Sequence, residues 1–589
     1  MSFFDDASLV FLPSGQAGKD GKAYSMKPTN GDGDFTFSRG SNLTATRVDS
    51  NGLIEKGREN LLLQSNQFDT TWTLTDTSVT SGQSGYDGSN DAWLLNSTTT
   101  GSPRIQQIVS LSGVATYSVY AKAATDSFIQ FRTFGADSEA WFNLNNGVVV
   151  NPSGSQYITS NIQSVGNGWY RCSMTFNGSL TTLRIYPASA FAVYSTSGNG
   201  VYIQDAQLEQ GLVATEYIES GATSGLAGIL EDSPRFDYSG GASCPSLLLE
   251  GSRTNLAGQS EYFGNNSNSN CTIDINDAIS PEGLSNASKV IGSGSDIFIR
   301  TRQSVAVPSA GDYIFSLFAK KGNVTKVEIR ALTYSGSTGL TEAQFDLDAG
   351  TAITSGAFIE DYGNGWYKCS TPVTIDTGDL SGSLSVYAIG SNGSIIYSSN
   401  ADTNGEYFYT WGWGVEQGSY PTSYIPNHSG GSVTREADSC SDAGTSSTFN
   451  DDEGVLYAEI SALAEDSDSK RITISDGTLA NRITIAISSN TISGFVNVNN
   501  VTEYTFFESG QDVLNPIKIA VKYKRADFAL WINGTEYDVS SSGSTFSANT
   551  LNELSFDNAT GVNNLYGNVK QVLYFPTALS DAELTALTS

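Results

Sequence analysis

An internal duplication constrains this chain more than any other feature. Glu55-x-x-Arg58-x-Asn60-Leu61-x-x-Gln64-Ser65-x-x-Phe68 returns in the same register as Glu250-x-x-Arg253-x-Asn255-Leu256-x-x-Gln259-Ser260-x-x-Phe263. Farther along, Tyr117-Ser118-Val119-Tyr120-Ala121-Lys122 answers to Phe315-Ser316-Leu317-Phe318-Ala319-Lys320, and the run from Phe142 to the run from Phe345. Gly166-Asn167-Gly168-Trp169-Tyr170 matches Gly363-Asn364-Gly365-Trp366-Tyr367, a tight turn feeding a strand. Leu208-Glu209-Gln210-Gly211 and Thr215-x-Tyr217-Ile218 recur as Val415-Glu416-Gln417-Gly418 and Thr422-x-Tyr424-Ile425. The same motifs in the same order build one domain twice, over 58–220 and 253–430.

Inside each copy, short alternating segments are separated by Gly, Ser, Asn and Asp clusters, which predicts a two-sheet antiparallel sandwich of jelly-roll type. Charged residues make up 16% of the chain against a norm of about 25%, and 60 glycines point to many turns. The fold class read from this is all-β, with tandem antiparallel β-sandwiches. At 589 residues the chain has room for three or four domains. After a polar linker at 431–449, a different β pattern fills 450–589, with strands predicted at 454–460, 471–476, 482–488, 492–498, 517–523, 528–533 and 567–575. Ser580-Asp581-Ala582-Glu583 is a capping box that opens a short closing helix. Segments 1–57 and 221–252 are read as framework. In 1–57, Gly, Lys, Asp and Ser interrupt every apolar run, leaving too little apolar surface for a separate core, so it should dock on 228–256 or on a partner.

Charge and composition exclude several function classes. The net charge is −30, from 31 basic and 61 acidic residues, and offers no basic surface for a phosphate backbone, so nucleic acid is not an expected partner. A single histidine, His428, excludes multi-histidine zinc sites; beside Asn427 in a polar stretch it reads as a surface residue. The five cysteines form no CxxC pair, so disulfides are not expected. The acidic start MSFFDDASLVF lacks a basic n-region and no apolar run reaches the roughly 18 residues of a membrane span, so the expectation is a soluble protein made in a host cytoplasm, without membrane insertion.

Several stretches resemble a recurrent module of tailed-phage structural proteins. They are Lys22-Ala23-Tyr24-Ser25-Met26-Lys27-Pro28, Asp34-Phe35-Thr36-Phe37-Ser38-Arg39, Ala45-Thr46-Arg47-Val48 and Gly52-Leu53-Ile54-Glu55. The resemblance continues at Pro234-Arg235-Phe236-Asp237-Tyr238 and Cys244-Pro245-Ser246-Leu247-Leu248-Leu249-Glu250. Neighbouring stretches of that module are here separated by the first repeat, which reads as an insertion. The repeats resemble the carbohydrate-binding-module-like jelly rolls of phage virion appendages: fibres, spikes and decoration proteins. The last domain resembles the concanavalin A-like, laminin G-type sandwich, through Phe528-Ala529-Leu530-Trp531-Ile532-Asn533-Gly534 and the closing stretch from Gly567. One fold hosts many functions, so the resemblance speaks to architecture more than to ligand.

Sugar sites in sandwiches use exposed aromatic faces, which makes the eight tryptophans the candidates. Trp169 and Trp366 occur in both copies beside the same turn and read as structural. Trp72, Trp93, Trp141, Trp411 and Trp413 are copy-specific. Trp411 and Trp413 stand at alternate strand positions, which would put both on one face as a stacking platform, and they are the preferred ligand-binding residues. Calcium is a conceivable cofactor through acidic loops such as Asp451-Asp452-Glu453 and Glu465-Asp466-Ser467-Asp468, although neither has EF-hand spacing and metal ligands stay unassigned. Catalytic residues are not assigned: Glu436-x-Asp438 and Glu536-x-Asp538 approach a glycanase carboxylate signature but lack its third carboxylate.

The resemblance implies a non-enzymatic virion protein that displays its sandwiches toward a host surface glycan and joins other virion proteins through its N-terminal segment. A homo-oligomer, with a trimer favoured, would convert weak single-site binding into avidity. A ligand-free structural decoration and a polysaccharide depolymerase remain the alternatives.

Overall fold

The computed structural model describes residues 3–13, 21–40, 43–293, 298–332, 334, 338–339, 341–390, 393–395 and 405–589. Its regular secondary structure is almost entirely antiparallel strand, and the strands form three β-sandwiches.

The two repeats have the same topology. In the first, one sheet runs in the order Tyr157–Gly166, Trp169–Asn177, Val114–Ala123, Gly200–Gln210, Ala92–Ser97, Thr77–Gln83. Its counterpart in the second runs Phe358–Asp361, Trp366–Ile375, Gly311–Lys321, Tyr407–Gln417, Ala287–Gly292, Cys271–Ala278. The facing sheets agree as well, with Phe128–Phe134 and Leu180–Ala190 adjacent in one and Lys326–Leu332 and Ser381–Ile389 adjacent in the other. Inward residues of both sheets fill each core, Phe68, Tyr117, Phe131 and Leu208 in the first, Phe263, Phe315, Ile329 and Val415 in the second.

The repeated motifs have structural reasons. Gly200–Gln210 bulges opposite Val119, and Tyr407–Gln417 bulges opposite Leu317. The duplicated asparagine stitches each bulge. Asn60 Nδ2 donates to the Ala206 and Ile218 carbonyls while its Oδ1 accepts from the Leu208 and Leu62 amides. Asn255 does the same with Trp413, Ile425, Val415 and Ala257. Glu209 accepts from the Thr215 amide and hydroxyl, as Glu416 does from Thr422. What is duplicated in sequence therefore holds the fold.

Each sandwich leaves and rejoins the framework through paired strands. Arg58–Asn60 pairs with Gly225–Ala227, and Arg253–Asn255 pairs with Val433–Arg435. The sandwiches touch at Gly113, whose φ is 96° and where an added Cβ would lie 1.7 Å from the His428 carbonyl oxygen. The Val114 amide donates to that oxygen at 2.9 Å.

The third sandwich is assembled from three parts of the chain. Its larger sheet contains Glu453–Ala462, Ile517–Lys524, Phe528–Ile532 and Gly567–Phe575, but also Arg235–Asp237 and Ser246–Leu249. Leu9–Phe11 pairs with the far half of Gly567–Phe575. Phe11, Phe35, Phe37, Phe236, Leu247 and Leu249 are buried in the same core as Leu456 and Ile519. Predicted strands 482–488 and 567–575 match Arg482–Ser488 and Gly567–Phe575, while Val501–Ser509, Thr535–Ser540 and Glu553–Ser555 are strands outside the predicted set. The closing helix Asp581–Thr588 carries the Ser580–Glu583 capping box and packs Leu584 and Leu587 beside Trp531.

The stretch 431–449 is not a free linker, which corrects the sequence reading. Val433–Arg435 and Ser439–Ser441 are strands, and between them lies the charged hub of the molecule. Arg39, Arg235 and Arg435 converge on Glu250 and Asp438, and every one of these side chains is at most 2% exposed. Arg39 Nη1 reaches Asp438 at 3.1 Å, Arg435 Nη1 reaches Glu250 at 2.8 Å, and Arg235 bonds both acids. Burial alone would raise the Glu250 pKa, but Arg435 and Arg235 hold it well below the usual carboxylate range. Arg39, Arg235 and Glu250 from the framework thus join Arg435 and Asp438 in a buried knot tying framework to sandwich.

Candidate functional site

Since duplicated residues hold the fold, a site should lie where the copies differ. All eight tryptophans are at most 6% exposed, so none forms an open stacking face. Trp411 and Trp413, the preferred ligand residues, are both 0% exposed, and the expected platform does not exist. The reason is the bulge: Gly412, at φ 61°, inserts an extra residue and breaks the alternation. Trp413 points into the sandwich core against Phe263, whereas Trp411 points outward against Phe318 and Tyr424. Trp169 and Trp366, each 1% exposed, sit in corresponding outward clusters.

Those outward clusters are the informative pair. In the second copy Phe318, Trp366, Trp411 and Tyr424 are fully covered, with framework residue Ile54 packed on them and its amide bonded to the Pro281 carbonyl. In the first copy Gln204 stands where Trp411 does, Asp205 where Gly412 does, and among the described residues no framework residue belongs to the cluster. Tyr86, Tyr202 and Tyr217 remain half-buried around Tyr120 and Trp169. Tyr86 stacks on Tyr120 at 3.8 Å between ring centroids, and Arg171 lies 5.3 Å from the Tyr120 ring centre.

Polar groups edge this aromatic face. Tyr86 Oη donates to Asp205 Oδ2 at 3.0 Å, and Gln204 Nε2 donates to Asp91 Oδ1 at 2.7 Å. Gln204 Oε1 accepts from the Tyr86 amide at 3.1 Å, tying the loop of Asp87 and Asp91 to the sheet. Burial pushes the Asp205 carboxyl up to about 7; the Tyr86 hydrogen bond opposes the rise, while Asp91 and Asp87 add to it. Asp205 also holds a left-handed φ of 52°, which costs a residue with a side chain more than glycine. Aromatic rings beside carboxylate and amide groups offer what a sugar needs: stacking for its C–H face and partners for its hydroxyls.

The other sequence candidates have structural duties. Asp451 accepts from the Leu551 and Thr550 amides, and Asp466 pairs with Lys470. Asp438 belongs to the hub, and Asp538 lies beside the Tyr504 hydroxyl. Among the described residues no group of three or more His, Cys, Asp or Glu is placed to hold a metal. His428 is 6% exposed and 3.4 Å from Glu261, so its reading as a surface residue is corrected: the residues around it belong to the seam between sandwiches. Sequence reasoning missed Tyr86, Tyr202 and Asp205. The available signal was the contrast of Gln204-Asp205 with Trp411-Gly412 at aligned positions.

No protein-family model matches the chain, and no curated protein matches it. Among solved structures, the CBM40 domain of Ruminococcus gnavus IT-sialidase, bound to alpha2,3 sialyllactose, aligns at 15% identity over 24% of this chain and 84% of that one, with a TM-score of 0.21. The binding domain of botulinum neurotoxin serotype G aligns at 15% identity over 28% of this chain and 43% of that one, TM-score 0.21. Mouse laminin alpha1 domains LG4-5 align at 10% identity over 47% of this chain and 88% of that one, TM-score 0.18. Likeness at this level carries no argument about this chain. By its own sheets the chain is an all-β protein of tandem antiparallel sandwiches, two that share one topology and a third with a different strand order.

Proposed function

We propose that this is a non-enzymatic adhesion protein of a phage virion, and that the outer face of the first sandwich around the half-buried Tyr86 and Tyr202, backed by Asp205, engages a sugar of a host surface polymer. One observation supports the ligand reading: the outward aromatic cluster of the second copy is packed under framework residue Ile54, whereas that of the first copy has the half-buried tyrosines Tyr86, Tyr202 and Tyr217 around Tyr120 and Trp169. The virion reading rests on the resemblance of the framework module. Copies of the chain on a particle would supply avidity to a shallow site. Steering by charge contributes nothing, because a protein of net charge −30 is repelled by an anionic envelope. Contact depends on stacking and hydrogen bonds at short range.

The test is binding of the intact protein to host cells and to their isolated surface polysaccharide, comparing wild type with Tyr202→Ala and Tyr86→Ala. A tenfold or greater loss with an unchanged melting temperature supports the site. Binding unaltered in both variants removes it, and absence of binding by wild type removes the adhesive reading. Release of reducing ends from the polysaccharide would contradict the non-enzymatic assignment, and immunogold labelling of particles checks the virion one.

A further inference from the structure

A cavity of about 290 Å³ opens at the seam where the first sandwich, the framework and the second sandwich meet. One wall is aliphatic, with Leu61, Leu111, Leu212 and Val213 from the first sandwich. A second wall is polar and buried, formed by Lys56, Glu261, Glu282, Asn286 and His428. Lys56 Nζ lies 2.8 Å from Glu261 and 2.9 Å from Glu282, and Asn286 Nδ2 donates to Glu261 at 3.0 Å and Glu282 at 2.5 Å. Burial disfavours charge on both Lys56 and Glu261, yet each is held in its charged form by the other.

Two side chains on that wall are incompletely satisfied. Asn286 is 1% exposed, and since both carboxylates fix its amide nitrogen, its Oδ1 is an acceptor with no protein donor. His428 is 6% exposed, and neither ring nitrogen makes a hydrogen bond with protein, Nε2 having only the 3.4 Å approach to Glu261. Buried polar atoms without partners are rare enough to need a reason.

From these the geometry points to a second ligand site, specific for a neutral, hydroxyl-rich ring of monosaccharide size. The volume sits just below the roughly 300–1,000 Å³ typical of small-molecule pockets, room for one small ring. The cavity's cationic side chains, Lys56 and Arg58, are outnumbered by Glu59, Glu209, Glu261 and Glu282, which disfavours an anion. The ammonium of Lys56 already sits between the carboxylates, which disfavours a cation. A hydroxyl can donate to Asn286 Oδ1 and also bond a nitrogen of His428, while ring C–H groups lie on the leucine wall.

This site is distinct from the outer face around Tyr86 and Tyr202, so either can fail without the other. The experiment is calorimetric titration of the full chain with D-glucose, D-galactose and N-acetyl-D-glucosamine, with D-glucuronate as the anionic control. Saturable binding of at least one neutral sugar, weakened tenfold or more in Asn286→Ala and in Val213→Trp, is the expected result. Val213→Trp fills the half-buried rim without touching the ion pairs, so it remains informative if Asn286→Ala misfolds. Tyr202→Ala should leave this binding unchanged. No saturable response to any neutral sugar, an equal response in Val213→Trp, or tighter binding of glucuronate overturns the inference.

Discussion

Asp205 and Gly412 hold the same bulge in the two sandwiches, at φ 52° and 61° respectively. The second copy uses the residue that adopts this conformation freely, and the first keeps a buried carboxylate there. Asp205→Gly should therefore stabilise the protein, by about 1 kcal/mol from backbone relief alone. The gain should grow with pH. The Asp205 pKa is raised to about 7, so the folded state binds the proton more tightly than the unfolded one; the group's stability is present at low pH and is lost as pH rises toward 7. Denaturant melts at pH 4 and pH 8 check this, and a gain that is larger at pH 4 would contradict it.

Trp411→Ala and Trp413→Ala should each destabilise by roughly 3–5 kcal/mol, the range for a large buried aromatic. They should differ in what they loosen. Trp413→Ala opens the second core, whereas Trp411→Ala frees Ile54 and the framework hairpin to which it belongs, Thr46–Val48 paired with Ile54–Lys56. Hydrogen exchange separates the two: faster exchange at residues 54–56 is expected for Trp411→Ala and not for Trp413→Ala.

The hub should make the protein acid-sensitive. Glu250 has a lowered pKa, so its contribution is present above the ordinary carboxylate range and is lost as pH falls below it. Glu250→Gln should cost about 3–5 kcal/mol at pH 7, because it leaves arginines buried without their partner. The same variant should also flatten the decline in stability below about pH 4. Urea titrations across pH 3–7 measure both effects.

A fragment of residues 450–589 should not fold alone. It lacks Leu9–Phe11, Arg235–Asp237 and Ser246–Leu249, which complete its larger sheet, and Phe11, Phe35 and Phe236, which fill its core. Dye binding and a missing cooperative melt are the expected signs; a sharp melt with native-like strand content would refute this.

Local signals were the readable ones. The duplicated motifs, the Ser580 capping box and the alternating strands of the last domain all follow from neighbouring residues. The error over Trp411 and Trp413 came from assuming an unbroken strand, although Gly412 between them was a warning that alternation could fail. The hub was hidden for a different reason: Arg39, Arg235 and Asp438 lie far apart in sequence, and charged residues read one by one look like solvated surface. His428 looks exposed in the sequence because its flanks are polar, but those polar groups are used inside the protein: Asn427 Nδ2 donates to the Ala257 carbonyl within the second sandwich, and the His428 carbonyl accepts from the Val114 amide across the seam.

The paired stems of the two jelly rolls have a consequence for change over time. Arg58–Asn60 lies beside Gly225–Ala227, and Arg253–Asn255 beside Val433–Arg435, so each sandwich departs and returns at nearly one point. Replacing everything between such neighbours leaves the path of the remaining chain intact, and loop closure depends only slowly on how much is inserted. Each jelly roll is thereby an exchangeable cassette: its outer face can be recast for a new surface chemistry while the arginine knot and the composite third sandwich keep the same wiring.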